Sequence, residues 1–459
     1  MPEKSKFNFK YLLKVFVYLG ALLIAIYLVI LASGYKYDSR RNNFVETGNI
    51  YINSNPKDVK IYIDGKLRSK KAPFKLGYLL PGNYQVKVEK DGYKSWEKNL
   101  EVKAGLVTYE SEIILFYNNP KTESFVDTQN IKGMKINAAK NEILYFSDSA
   151  VYSKKTDTNA EQKIIELNDG TIESVETPNN FSKMLIQKRS ATSLAYIYCK
   201  DKECKEPYDI NQALSLNFDK AKFTNNDNYP LILFFEGNLY SVKSDLSKYY
   251  IETKVLDSAF FNGSIYYLTD DEDGVGIWFS DPDGNNKKKI TTQKGYGSEK
   301  KNFSFQYDYK KDKLYLIGEN QELFKMDKGE SPKIYDTEVS FLNFDNNNFL
   351  LITFGSEIKV QGKVEVTDKE DSIHNVARYS QDPINTSWLL KTNHILFIRD
   401  KILRTLEIKR SNETDLYSYR GDTNIYFVSI SKNEIIVLDN GRLIKLTVCE
   451  KGSLIDLWQ

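Results

Sequence analysis

The residue types that most often carry out chemistry are sparse in this chain. It has two histidines, His374 in a polar stretch and His394 at the start of an apolar run. A Ser-His-Asp triad would need one of them beside a nucleophile, and no Gly-x-Ser-x-Gly elbow occurs. The Gly-x-x-x-x-Gly-Lys-Ser/Thr loop that binds nucleotide phosphates is also absent. The sequence therefore predicts no catalytic residues and no cofactor.

Two acidic stretches, 270–274 and 281–284, have the carboxylate oxygens that Ca²⁺ prefers. In the second, the glycine comes too early for an EF-hand loop. Both stretches lie between strand-like runs, where a solvated turn is the simpler interpretation, so we expect no metal. Asp and Glu are also frequent near strand ends, and two of them brought together in space could hydrolyse a glycosidic bond. An extracellular hydrolase with paired carboxylates is therefore the alternative function.

The chain has three cysteines. Cys199 and Cys204 enclose four polar residues between two strand-like runs, a spacing that suits a disulfide across the mouth of a β-hairpin. An oxidising exterior would permit that bond, whereas a reducing compartment would leave two free thiols. A metal site would need two more ligands, and no other Cys or His lies nearby in sequence. We expect Cys449 to be a small buried residue in a strand.

An uncharged run of 19 residues, 15–33, stands out near the N-terminus. As a helix it would be about 28 Å long, close to the roughly 30 Å hydrocarbon core of a bilayer. Aromatic residues flank it, four lysines precede it and three basic residues follow it, which favours a membrane anchor with the N-terminus inside. The alternatives are a cleaved signal peptide, for which the run is long, and a buried core helix. We expect a cytoplasmic tail at 1–14, a transmembrane helix at 15–33 and a linker at 34–46.

The composition is that of a folded, strand-rich protein. The net charge of +2 gives no global attraction to nucleic acid, and 41% of the residues are apolar, enough for a core. The 32 tyrosines and 25 phenylalanines favour β-structure. Beyond the N-terminal run no long stretch has helical periodicity, so we expect a mainly β protein without a nucleic-acid partner.

Residues 47–117 alternate between short strand-like segments and turn residues, which predicts a small antiparallel β-sandwich. The predicted strands are 50–52, 59–63, 84–88, 96–102 and 113–116. This stretch resembles the PEGA domain family, because many turn and core positions agree in order. The matching positions are Pro56, Asp64, Gly65, Pro73, Phe74, Pro81, Gly82, Tyr84, Gly92, Tyr93 and Trp96.

The resemblance gives several of these positions a structural role. Asp64 and Gly65 would form a type I′-like hairpin turn, and Pro73 with Phe74 would begin a strand with a core anchor. The eponymous Pro-Glu-Gly-Ala is shortened here to Pro-Gly-Asn at 81–83. The family implies a surface or envelope module of bacteria and archaea without catalytic residues. An unrelated β-sandwich is the alternative.

From 118 to 459 one unit recurs, consisting of a short apolar run, a turn and an alternating strand. Eight such hairpins begin at residues 143, 184, 231, 265, 314, 349, 395 and 435, on average about 42 residues apart. That spacing is the length of a four-stranded blade, so we expect a β-propeller with seven or eight blades. Residues 276–285 resemble the blade hairpin of TolB-like propellers, and the region as a whole looks like a TolB- or WD40-like propeller. Stacked β-sandwiches and a β-solenoid are the alternatives.

The anchor, the PEGA-like module and the missing catalytic signatures favour a non-catalytic envelope protein. We expect it to be held in the cytoplasmic membrane by a single span, with its C-terminal domains outside. Its propeller loops would bind a protein or a cell-wall polymer. The basic residues Arg68, Lys70 and Lys71 would face anionic polymer or lipid head groups, or else be solvated. An envelope sensor is a third hypothesis, and it would need a partner because the tail at 1–14 is too short for a signalling domain.

Overall fold

The computed structural model forms two compact units, Met1–Pro120 with Val448–Gln459, and Lys121–Thr447. The residues it describes are 9–137, 141–158, 160–178, 180–191, 193–224, 226–293, 303–308, 313–317, 323–326, 333–336, 341–344, 350–354, 356–362, 369, 372–408, 411–421 and 424–452. Parts of some predicted features lie outside the described residues, namely the tail at 1–8, the turn at 318–320 and residues 349 and 355.

The first unit begins with helix α1, Phe9–Ala32. Its segment Leu13–Ala32 has a mean hydropathy of 2.8, and none of it is buried against the rest of the chain. The helix ends where Gly34 takes a left-handed φ of 84° and its N–H donates to Leu31 O at 3.0 Å. By length and composition, α1 could cross a membrane.

The stretch expected as a linker, 34–46, is folded as a β-hairpin. Its strands are β1, Tyr35–Asp38, and β2, Asn43–Glu46. Tyr37 lies opposite Phe44, with the two ring centroids 5.4 Å apart. The segment is therefore an ordered connection between α1 and the strand that follows.

A β-sandwich of two sheets follows the hairpin, with strand orders β6-β3-β9 and β5-β4-β7-β8. The strands are β3 Gly48–Asn55, β4 Lys60–Ile63, β5 Lys66–Ser69, β6 Phe74–Leu79, β7 Gly82–Glu89, β8 Trp96–Val102 and β9 Val107–Ile114. Alternating apolar residues such as Ile50, Ile61 and Val86 are fully buried in the core between the sheets. One pair differs from the expected antiparallel arrangement, since β3 and β9 are parallel. The five intervening strands supply the long crossover that a parallel pair requires.

The second unit is a β-propeller, with eight four-stranded sheets among the described residues. The strands before the fourth sheet are β10 Lys121–Ser124, β11 Gly133–Asn137, β12 Glu142–Phe146, β13 Ala150–Lys155, β14 Glu161–Glu166, β15 Thr171–Glu176, β16 Met184–Arg189, β17 Leu194–Cys199, β18 Pro207–Asp209, β19 Lys220–Phe223, β20 Leu231–Phe235, β21 Asn238–Val242 and β22 Lys248–Glu252. A short helix, α2 Ile210–Leu214, follows β18.

The remaining strands complete the later sheets. They are β23 Val255–Phe261, β24 Ser264–Asp271, β25 Gly274–Ser280, β26 Lys288–Gln293, β27 Ser304–Asp308, β28 Lys313–Ile317, β29 Leu323–Met326, β30 Lys333–Asp336, β31 Phe341–Phe344, β32 Leu350–Phe354, β33 Glu357–Gln361, β34 Ile373–Arg378, β35 Ile384–Trp388, β36 His394–Arg399, β37 Ile402–Glu407, β38 Ser411–Ser418, β39 Tyr426–Ser429, β40 Glu434–Asp439 and β41 Arg442–Thr447. Each of the eight predicted hairpins coincides with the two central strands of one sheet. The propeller prediction is therefore confirmed, and the described strands form eight sheets.

The ring of sheets is closed by its two ends. β10, from before the first sheet, pairs with β41, so the eighth sheet has the order β10-β41-β40-β39. The first strands β35, β39 and β11 contact one another in turn. Ile143 and Tyr145 of the first sheet share one buried cluster with Ile436 and Leu438 of the eighth. The first strand of each of these sheets therefore lies innermost, around the central axis.

The C-terminal segment returns to the first unit after β41. Tyr117 N donates to Val448 O at 2.8 Å, and Tyr93 Oη donates to Glu450 Oε1 at 2.6 Å. The propeller was expected to span 118–459, but in the structure its unit ends at Thr447. The reason is that the last described residues make these hydrogen bonds to the sandwich unit.

Candidate functional site

The two histidines lie in different sheets. His394 is in β36 with 3% of its surface exposed, and burial lowers its pKa to about 4, so it is neutral at pH 7. His374 is in β34 of the preceding sheet. Within the described ranges, no group of three or more His, Cys, Asp or Glu side chains could hold a metal ion. The histidines therefore do not form a reactive pair.

The two acidic stretches of the fourth sheet stabilise their own turns. Asp271 accepts a hydrogen bond from Thr269 Oγ1 at 2.7 Å and pairs with Lys289 at 2.6 Å. Asp281 Oδ2 accepts from Asn286 Nδ2 at 2.6 Å. These contacts are typical of polar turns, and they use the carboxylate oxygens that a cation would need.

Cys199 and Cys204 are joined by a disulfide, with their Cα atoms 4.8 Å apart. Cys199 is the last residue of β17, but Cys204 lies in the loop before β18 and not in the facing strand. The bond therefore closes the loop itself and does not bridge the mouth of the hairpin. Cys449 is buried, as expected, and is not part of a disulfide, but it lies after the end of β41 and not in a strand.

One buried carboxylate joins three neighbouring sheets of the propeller. Asp257 in β23 is 4% exposed and pairs with Lys222 of β19. Its Oδ2 also accepts from Phe305 N of β27 at 2.9 Å. Because both oxygens are used in contacts with other sheets, Asp257 stabilises the ring and is not available as a general base.

A cleft of about 420 Å³ opens on the eighth sheet, and we call it the arginine cleft. It is lined by Thr122, Glu123, Ser124, Tyr417, Arg420, Asp439, Asn440, Arg442 and Ile444. These residues come from β10, from β38 and the loop after it, and from the β40–β41 hairpin. Its volume is in the range of pockets that bind small molecules.

Asp439 holds the loop that carries Arg420. It is 3% exposed, and its Oδ1 accepts from Gly421 N at 2.8 Å and from Arg420 N at 3.1 Å. Its Oδ2 accepts from Tyr417 Oη at 2.8 Å. Burial, followed by this hydrogen bond to a carboxylate, raises the pKa of Tyr417, which therefore stays protonated as a donor. The carboxylate is thus bound by main-chain N–H groups and a phenol.

A tight turn directly precedes Arg442, which lines the cleft. Asn440 and Gly441 both have positive φ, 49° and 69°, as a type I′ hairpin turn requires. Gly441 O accepts from Ile131 N at 3.0 Å, and a Cβ on Gly441 would lie 3.2 Å from the Cα of Asn130. The turn is therefore fixed by a neighbouring segment as well as by its own geometry.

The charges in the arginine cleft are unevenly compensated. Glu123 forms an ion pair with Lys445, and Asp439 is engaged as described above. Within the described part of the chain, neither Arg420 nor Arg442 forms an ion pair. The cleft therefore presents two exposed arginines to solvent, and its two carboxylates, Glu123 and Asp439, both have donors or cations as partners.

In the sandwich, the predicted turn and core positions have local structural roles. Asp64 and Gly65 have φ of 49° and 72°, which suits a type I′ turn. Trp96 is buried, and Phe74, Tyr84 and Tyr93 pack against the same core. The positions that lie at strand ends or in turns are Pro56, Pro73, Pro81, Gly82 and Gly92.

This sandwich can be compared with known families. Residues 47–111 match the PEGA domain. The match agrees with the resemblance seen in the sequence and covers the sandwich alone. The PEGA domain also carries the predicted basic patch, since Arg68, Lys70 and Lys71 are all exposed on or just after its edge strand β5.

The propeller is similar to several solved structures. Dipeptidyl peptidase 4 of Porphyromonas gingivalis aligns with a TM-score of 0.50 and 10% identity, over 68% of this chain and 56% of that one. The C-terminal WD40 domain of Sif2 aligns with 0.49 and 8%, over 73% and 99%. The Dos1 propeller aligns with 0.44 and 11%, over 72% and 95%. At such identities the first similarity bears on the fold alone, and the other two scores are too low to add to it. No curated protein sequence matches this chain.

The sequence pattern does not reveal the arginine cleft, and neither Arg420 nor Arg442 is among the predicted site residues. A usable signal is the position of the two arginines, one just after β38 and one at the start of β41. Nothing in the sequence shows that these arginines lie in one cleft with β10.

Proposed function

We propose that this protein is a non-catalytic component of a cell envelope, anchored by α1 and presenting its PEGA domain and propeller outside the cytoplasmic membrane. The observation that carries the proposal is the exposed apolar surface of α1, followed after the β1–β2 hairpin by a PEGA domain. A helix with none of its surface buried would be costly in water, and a bilayer removes that cost. The alternative of a cleaved signal peptide is tested below.

The orientation follows from the charges and from the size of what comes after α1. Four lysines precede the apolar run, and long domains are translocated largely regardless of charge. The disulfide between Cys199 and Cys204 fits an oxidising exterior. These features support an N-terminus inside and both folded units outside.

Cysteine labelling tests this topology. The native cysteines are either bonded or buried, so they give little background with a membrane-impermeant maleimide. We expect the variant Ser39→Cys, in the hairpin turn, to be labelled on intact cells. The matched variant Ser5→Cys should be labelled only after lysis.

The opposite labelling pattern would contradict the proposed orientation. Release of the chain by alkaline carbonate, together with loss of the segment 15–33 from the mature mass, would contradict the anchor. Retention in the membrane pellet with both units accessible from outside would support it.

The second part of the proposal is that the propeller binds a partner, either a protein or a glycan such as a cell-wall polymer. An open cleft lined by two arginines that form no ion pair with a described residue supports a binding role, because guanidinium groups bind anionic groups well. The full-length protein in a non-ionic detergent can be passed over purified wall polymer and, separately, over envelope lysate. Mass spectrometry then identifies what remains bound. Capture of neither polymer nor a specific protein would contradict this part.

A further inference from the structure

We infer that the arginine cleft is an oxyanion site that takes a phosphate or carboxylate group of a glycan or polyol. This names the ligand class of the binding role proposed above, and its biological meaning rests on that proposal. The inference depends on how the arginines of the propeller are paired, on how the nearest carboxylate is used and on the size of the cleft.

The first observation is a contrast among the arginines. Four described arginines of the propeller form ion pairs, namely Arg189 with Glu173, Arg378 with Glu357, Arg399 with Glu413 and Arg404 with Asp415. Arg420 and Arg442 form none with any described residue, and both line the same cleft. A guanidinium presents a planar set of donors that matches phosphate and carboxylate oxygens. Two arginine side chains that line one cavity can bind one anion together.

The second observation concerns Asp439, a carboxylate that lines the same cleft as both arginines. It accepts hydrogen bonds from the main-chain N–H groups of Arg420 and Gly421 and from the hydroxyl of Tyr417. The same carboxylate thus fixes the backbone of Arg420 and leaves its guanidinium available. Because the backbone of Arg420 and Gly421 is already held by these hydrogen bonds, less conformational entropy is lost when an anion binds.

The third observation is the size and lining of the cleft. A cleft of about 420 Å³ accommodates one or two sugar or polyol units. A stable protein interface instead buries about 800 Å² on each partner, which is more surface than one cleft of this size provides. Thr122 and Asn440 supply polar groups on the walls, and Tyr417 supplies part of an aromatic ring. This lining suits a hydroxylated, anionic small unit better than an acidic protein surface.

The test is a titration of the full-length protein in a non-ionic detergent, with binding measured by calorimetry or NMR. Glycerol 3-phosphate and glucuronate are the probes for the two anions, and glycerol and glucose are the neutral controls. We expect saturable binding of at least one anion, which weakens as salt is raised. Arg420→Gln and Arg442→Gln should each weaken it about tenfold, equivalent to about 1.4 kcal/mol.

The matched control is Arg378→Gln, which removes the same charge from an exposed arginine paired with Glu357 at 3.3 Å. It should leave binding unchanged. Circular dichroism verifies folding, and Arg420→Lys, which keeps the charge but not the planar fork, should give an intermediate loss. Preference for one anion over the other would identify the source of the oxyanion.

Equal binding by the wild type, both cleft variants and the control would overturn the inference, as would the absence of saturable anion binding. These failures are separable from failure of the proposed function. Capture of wall polymer that survives both arginine substitutions would leave the envelope role intact and remove the cleft from it. Acidic protein captured in place of polymer, and lost in both variants, would overturn the assignment to glycans.

Discussion

Replacement of Asp439 by alanine is the sharpest test of how the arginine cleft is built. The side chain is 3% exposed and accepts from three donors, namely Tyr417 Oη at 2.8 Å, Gly421 N at 2.8 Å and Arg420 N at 3.0 Å. A hydrogen bond to a charged group contributes about 1.5–3 kcal/mol. Water can reach part of the exposed loop and would offset part of the loss. We therefore expect Asp439→Ala to lower the free energy of unfolding of the propeller by about 3–4 kcal/mol.

Two further variants calibrate that value. Asp439→Asn keeps an amide oxygen for the main-chain donors, and the Tyr417 hydroxyl can rotate to accept from the new NH₂ group. Its expected cost is about 1–2 kcal/mol, because a neutral acceptor is roughly half as strong as a charged one. Asp281→Ala is the control. Its carboxylate accepts from Asn286 Nδ2 in a polar turn, so we expect less than about 1 kcal/mol.

Urea unfolding gives the stability change, and hydrogen exchange localises it. In Asp439→Ala the amides of Arg420 and Gly421 should exchange faster, since they lose their acceptor. Anion binding should weaken as well, although neither guanidinium has been altered. Unchanged urea midpoints together with unchanged exchange at these two amides would refute the reasoning that Asp439 organises the cleft.

Three other predictions concern stability. The hydrogen bond from Tyr93 is the largest cause of the lowered pKa of Glu450. This contact therefore stabilises the first unit at pH values above the pKa that Glu450 has in the unfolded chain, and the stabilisation is lost as the pH falls. Glu450→Gln should remove up to about 1 kcal/mol of this acid-dependent stability in urea unfolding. The disulfide closes a short loop, so Cys199→Ser with Cys204→Ser should cost about 2 kcal/mol, and equal urea midpoints in oxidised and mutant protein would contradict this. Burial lowers the pKa of His394 to about 4, so the unfolded state binds a proton first as the solution is acidified. The propeller should lose about 3 kcal/mol between pH 7 and pH 4, and His394→Asn should not show that loss.

The sequence predicted best what depends on neighbouring residues. The turn at Asp64 and Gly65 and the eight hairpins of the propeller were predicted because alternation and turn chemistry are local properties. The first strands of the sheets were not predicted. They carry polar residues such as Lys222 and Asp257, which pair with each other between neighbouring sheets. Their pattern cannot be interpreted without knowing that they are the innermost strands.

The parallel pair of β3 and β9 also could not be predicted from local pattern. Both strands alternate as any half-buried strand does, and alternation does not distinguish parallel from antiparallel pairing. The same holds for the C-terminal boundary. The residues after β41 resemble a continuing strand, and only their hydrogen bonds to Tyr93 and Tyr117 place them with the first unit.

The sequence by itself determined the apolar helix, the PEGA-like sandwich and the repeat of about 42 residues, because each depends on a local pattern of apolar and turn residues. Only the tertiary structure decided that there are eight sheets, since the eighth is completed by β10 from the other end of the unit. That same pairing places Glu123 opposite Lys445 and brings β10 into the lining of the arginine cleft. Whether a charged residue is compensated depends on which distant strands meet, and long-range pairing of this kind leaves no signature in the residues next to it.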